Sequence, residues 1–184
     1  MTVFCTFLSA LFLAANTQAA LVITEINYNP PEAGTDTDEF IEITNTGPAG
    51  VTLDGYSFTQ GFVFTFPGWS SILSGESILL AVNMASLLAT TLNDKPSMGI
   101  NGQQLYSISP SVQIFQWTSG SLTNGGEDII LVDAGLNEVF NIDYDDVSPW
   151  PSGTSGPGGN GPTLEIIDPN AADPYAAANW RASG

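Results

Sequence analysis

No histidine occurs anywhere in the 184 residues, cysteine occurs once (Cys5), and Lys95 and Arg181 are the only basic side chains. Each shortage removes a class of chemistry. Without histidine there is no Ser-His-Asp or Cys-His nucleophile and no histidine-ligated zinc. With one cysteine there is no disulfide, and thiolate catalysis or a cysteine-ligated metal would rest on Cys5 alone. Nineteen acidic residues against two basic ones give a formal charge of -17. Phosphate backbones are held by Lys and Arg, so nucleic-acid binding through a basic face is not expected. Direct binding to anionic membrane is not expected either, unless a divalent cation bridges the two surfaces. No Gly-rich phosphate loop followed by a lysine and a hydroxyl residue is found. Gly156-Pro157-Gly158-Gly159 contains proline and opens no helix, so it reads as a surface loop.

Long apolar runs are also scarce, and the one at the start is informative. Val3 to Ala15 is apolar and is followed by Asn16-Thr17-Gln18-Ala19. It is too short to span a bilayer and ends in small residues, which is the signature of a secretory signal peptide cut after Ala19. No Lys or Arg precedes Val3, so the amino terminus alone supplies positive charge; a buried N-terminal helix or a retained anchor is the alternative. Cys5 would leave with this segment, and it sits too early in the run to read as a lipid attachment site. The expectation is residues 1–19 as signal peptide and 20–184 as one mature domain, secreted or at the cell surface. A domain of that length buries roughly two-thirds of the surface its unfolded chain exposes and needs no disulfide.

The remainder consists of short β-rich segments between Gly, Pro, Asn and Asp signals. Leu21 to Asn27 is the first, ended by Asn29-Pro30-Pro31. In Glu39 to Asn45, Ile41 and Ile43 share one face while Glu42 and Thr44 share the other, the pattern of a half-buried strand. Val51 to Phe58 has a turn in its middle, and Phe62, Phe64 and Phe66 alternate on one side as core residues. Ser77 to Val82 is apolar on both faces, as a central strand would be. Met84 to Leu92 is the single helix expected in the mature chain, with Asn83 as N-cap, placed at one end of the fold. The pattern from Gln103 to Gln116 is weak, and Trp117 to Glu127 reads as a turn region. A hairpin then runs from Asp128 through Ala134-Gly135-Leu136-Asn137 to Tyr144, followed by a loop and a closing strand around Leu164 to Ile167. Such a series predicts an all-β, two-sheet antiparallel sandwich.

Carboxylates are the abundant reactive groups. Glu25 with Glu42, or Asp143 with Asp145, could be proposed as a glycosidase pair, but a sequence does not set their separation, and no catalytic or cofactor-binding residue is assigned. Calcium prefers six to eight oxygen ligands. Asp143, Asp145 and Asp146 form one candidate cluster, with Asp168 and Asp173 as neighbours in prospect; Asp36, Asp38 and Glu39 form another. Neither has EF-hand spacing, and Asp145 and Asp146 equally suit a turn in which they accept backbone N–H bonds. Trp69, Trp117 and Trp150 are candidates for stacking on carbohydrate, with packing as the alternative reading.

Ile23-Thr24-Glu25-Ile26, Glu39 to Asn45 and Leu53-Asp54-Gly55-Tyr56-Ser57-Phe58 resemble the lamin tail domain. Ser121 to Glu127, Asp143-Tyr144-Asp145-Asp146, Pro149-Trp150-Pro151, Gly161 to Glu165 and Asn179-Trp180 look like the bacterial, secreted branch of that family. The resemblance implies an immunoglobulin-like antiparallel β-sandwich without shared catalytic residues. It further implies a module that serves attachment or assembly outside the cytoplasm. The partner would be an unknown protein or a surface glycan, and a calcium-supported carbohydrate-binding module is the alternative.

Overall fold

The computed structural model describes residues 21–31, 35–92, 112–151 and 162–183. The proposed signal peptide with Cys5, the link around Lys95, most of the weak stretch and the loop 152–161 lie outside the described residues. The first sheet is built from β1 (Leu21–Asn27), β2 (Phe40–Asn45) and β7 (Ser77–Ala81), with β8 (Gln113–Gln116), β12 (Leu164–Ile166) and β13 (Trp180–Ala182) outside them. Its spatial order is β13-β12-β1-β2-β7-β8. The second contains β4 (Ser57–Gln60), β5 (Phe62–Thr65), β9 (Ser119–Gly120), β10 (Glu127–Val132) and β11 (Glu138–Tyr144), in the order β11-β10-β4-β5-β9. A small ribbon of β3 (Val51–Thr52) and β6 (Ser71–Ile72) stands apart from both.

The two large sheets face each other as an immunoglobulin-like sandwich. Side chains alternate across a strand, so every second residue of each sheet enters the space between. Ile26, Ile41, Ile43, Ile78 and Leu80 enter from the first sheet, and Phe58, Phe62, Ile129, Leu131, Phe140 and Ile142 from the second, all nearly devoid of solvent exposure. Burying each such side chain is worth about 1.5–3 kcal/mol. The three phenylalanines at period two are core, as expected: Phe66 meets Phe64 edge-on at 4.9 Å and Phe115 at 5.3 Å.

One irregularity in β1 shapes the outer face. The pairing with β2 shifts between Ile23 and Glu25, which leaves Thr24 as an extra residue in a bulge. Ile23 and Ile26 therefore both point inward, and Glu25 lands directly opposite Glu42.

Three expectations are corrected. The sandwich is not wholly antiparallel: β8 pairs with β7 in parallel, which a connection as long as residues 82–112 permits and a tight hairpin would not. The helix α1 (Met84–Leu92) lies on the outer face of the first sheet, where Leu87 packs with Phe40, Leu79 and Ala81. That is why β7 is apolar on both faces. Its cap is as expected, with the Ser86 amide donating to Asn83 Oδ1 at 3.1 Å. Finally, the region from Trp117 holds β9, which pairs with β5 through Phe62 and Gly120.

Candidate functional site

Among the described residues, the hairpin that ends the second sheet leaves one strand without an outer neighbour. Its turn is organised by Asp133, whose Oδ1 accepts the amides of Gly135 at 2.8 Å and Asn137 at 2.9 Å. Those bonds, together with the Asn137 side chain, hold the Asp133 carboxyl below its usual range. Leu136 occupies the left-handed region at φ 64, a strained place for a branched side chain that the aspartate bonds make tenable. From this turn β11 runs for seven residues, with Phe140, Ile142 and Tyr144 facing the core. Among the described residues β10 is the only strand that pairs with it. Other sheet ends are shorter: three residues in β13, four in β8 and two in β9. Past Tyr144 the chain turns away, where Asp145 Oδ1 accepts the Val147 amide at 3.1 Å.

Beside this edge lies a groove of about 930 Å³, lined by Leu21, Val22, Val139, Phe140, Pro174 and Tyr175 among others. Tyr175 seats its ring 6.0 Å from Phe140 and accepts the Ile23 amide on its hydroxyl at 3.2 Å. Burial pushes its phenol pKa up, so the hydroxyl stays protonated at any ordinary pH. The groove thus has an apolar floor at the mouth between the two layers.

Acidic residues stand opposite one another at two places. On the outer face of the first sheet, Glu25 is paired in register with Glu42 on one side and Glu165 on the other, and Glu165 with Arg181 beyond. This row is answered from within. Thr163 donates to Glu25 at 2.6 Å, Thr24 donates to Glu42 at 2.5 Å, and Arg181 bonds Glu165 at 3.1 Å. Thr24, Thr44 and Ser77 continue the network across three strands. Burial, reinforced by the Glu42 and Glu165 charges and only partly opposed by the Thr163 bond, pushes Glu25 up to about 7. On the second sheet, Asp128 stands opposite Asp143 of β11. Among the described residues neither carboxylate has a hydrogen-bond or ion-pair partner. Like charges in that relation destabilise a ladder by roughly 0.2–1 kcal/mol.

The candidate residues of the sequence are scattered. Trp117 is buried, stacked on Phe62 at 4.2 Å with its indole N–H donated to the Gly120 carbonyl, so it offers no face to a glycan. Trp150 is half-buried and lies 5.9 Å from Trp180, whose own indole N–H donates to the Pro174 carbonyl. Trp69 alone of the three is open, 71% exposed and stacked on Phe115 at 5.6 Å. They form no flat row. Of the aspartates, Asp143 projects outward on β11, Asp145 serves its turn, and Asp168 and Asp173 likewise cap the amides of Asn170 and Tyr175. Glu39 is buried and accepts the Leu122 amide at 2.9 Å. Among the described residues no three acidic side chains converge to hold a metal ion.

The lamin tail domain family model matches residues 14–146. The chain belongs to the lamin tail domain family. Within the match lie β1 to β11, including the open edge and its acidic pair; the closing strands β12 and β13, with Glu165 and Arg181, follow it. Among solved structures, a DUF4876 family protein from Bacteroides thetaiotaomicron is similar, with a TM-score of 0.50 at 13% identity. The likeness covers 80% of this chain and 62% of that one, so the chain spans less than two-thirds of that protein, and it speaks for the fold alone. Among curated proteins none matches.

The groove and the Asp128–Asp143 pair were not singled out from the sequence. The hairpin carried only part of a signal: counting back from the five-residue connection Asp133 to Asn137 sets Asp128 against Ile142, and the register shift between Leu131 and Val132 is what brings Asp143 opposite it instead. The groove had none, because Leu21, Phe140 and Tyr175 meet only through the folded layers.

Proposed function

We propose that this lamin tail domain is a non-catalytic, exported attachment module that holds another macromolecule outside the cytoplasm by its surface. The observation that carries this is β11, a seven-residue strand that lies at a sheet edge among the described residues, beside an apolar-floored groove. An unpaired edge presents a row of backbone donors and acceptors, and natural sandwiches usually cover or shorten such a strand. Pairing of an extended segment at a sheet edge is a recurrent mode of recognition, with backbone bonds giving affinity and flanking pockets giving selectivity. Export rests on the apolar run Val3 to Ala15 and the small residues that follow it.

The second reading, a carbohydrate-binding module, rests on Trp69, whose exposed ring is held flat on Phe115. One screen separates the two. The purified domain is presented to a random linear-peptide display and to a glycan array, each with calcium and again with chelator. Attachment through β11 predicts saturable peptide binders that perturb the amide resonances of residues 138–144. Glycan binding lost in Trp69→Ala, with silence in the peptide arm, would replace it with the carbohydrate module, and the chelator arm would show whether calcium supports it.

A further inference from the structure

We infer that the β11 edge selects an extended, basic segment with alternating apolar residues, which adds to the second sheet as a further strand. This deepens the attachment reading above and rests on it. Three features of the edge point to that chemistry.

The first is alternation along β11. Asn141 and Asp143 project to the solvent side of the sheet, while Phe140, Ile142 and Tyr144 project into the core. A strand laid beside β11 has the same period, so one set of its side chains lies over the solvent side next to Asp143 and the other lies toward the groove floor of Val139, Phe140 and Tyr175. Polar residues suit the first set and apolar residues the second.

The second is the unanswered acidic pair. Asp128 and Asp143 face each other across β10 and β11, and neither has a partner among the described residues. On the first sheet the comparable row is supplied with threonine hydroxyls and with Arg181. Here the described residues supply no such group, and a Lys or Arg on an adjoining strand would sit within cross-strand distance of Asp143. The third is the charge of the whole chain, -17 with two basic residues, which draws cationic segments in and turns anionic ones away. An acidic or phosphorylated partner would meet repulsion at the same place.

The test uses the purified domain and three capped peptides of about ten residues, alternating valine with lysine, with serine or with glutamate. Amide hydrogen exchange across residues 138–144 is read with each. The inference expects slowed exchange at alternate amides of β11 with the lysine peptide, weaker protection with serine and none with glutamate. Asp128→Asn combined with Asp143→Asn should weaken lysine-peptide binding about threefold to tenfold, the scale of two exposed ion pairs, while leaving serine-peptide binding unchanged. Equal protection by lysine and serine peptides would overturn the basic selectivity yet leave β11 as a docking edge. Lysine-peptide binding without protection of β11 would show attraction to net charge alone and overturn the inference. No protection by any peptide would remove edge docking itself.

Discussion

The two acidic ladders of this sandwich have the same elementary geometry, carboxylates directly opposite on neighbouring strands, and opposite surroundings. Glu25 and Glu42 lie between interior strands, flanked by β12 and β7, and are met by Thr163, Thr24 and a proton that Glu25 retains to about pH 7. Asp128 and Asp143 lie at the open side of the second sheet, and no group of the described chain meets them. Position in the sheet thus decides what a carboxylate pair can do. An interior pair must be neutralised where it stands, since desolvated charge is costly. An edge pair in water tolerates its repulsion and remains available to a partner.

The largest expected effect lies beneath both ladders, in the core they share. Trp180 is buried with its indole N–H bonded to Pro174, and it closes the side of the first sheet that carries Glu165. Trp180→Ala should cost about 3–5 kcal/mol in chemical unfolding; a near-neutral result would show that β12 and β13 do not stabilise the row.

Next comes Glu25 itself. Its folded pKa is raised, so the native state binds more protons than the unfolded chain between the ordinary 4.5 and about 7. The contribution is fully present below about 4.5 and is lost as pH rises through 7. Glu25→Gln keeps an acceptor for Thr163 but cannot ionise. Unfolding at about pH 8 should find it more stable than the parent by up to about 3 kcal/mol, with the gap closing near pH 5. Equal stability at both pH values would erase the contrast between the ladders.

Smaller changes refine the picture. Asn83→Ala removes the cap of the helix that covers the apolar part of the same outer face and should lower stability by about 1 kcal/mol. Asp143→Asn relieves the edge repulsion and should raise stability by roughly 0.2–1 kcal/mol, read as a shifted denaturant midpoint. Arg181→Ala breaks a bond between side chains 64% and 33% exposed. Its effect should stay below about 1 kcal/mol and shrink in salt.

Much of the architecture was legible because period-two alternation is a local property. Leu21 to Asn27, the Ile41–Ile43 face and the three phenylalanines needed no tertiary information. Gly126 marks the entry to the hairpin, at φ 98, where a side chain would meet the Tyr144 carbonyl at 2.5 Å. What escaped depended on register and crossover. The bulge at Thr24 slides Glu25 into line with Glu42, the parallel return of β8 depends on its long connection, and the helix position depends on Phe40 facing outward beside Leu79. The tryptophans show the same limit: composition cannot distinguish Trp117, stacked in the core, from Trp69, stacked at the surface.

The contrast between the two ladders depends above all on the interior one being neutralised within the fold. A carbon-13 NMR titration of the Glu25 side-chain carboxyl in the folded domain measures it. A midpoint near 7 is expected, reflecting burial and the neighbouring Glu42 and Glu165 charges. A midpoint near the ordinary 4.5 would contradict it, because Glu25 would then be ionised at neutral pH and the two ladders would no longer differ in kind.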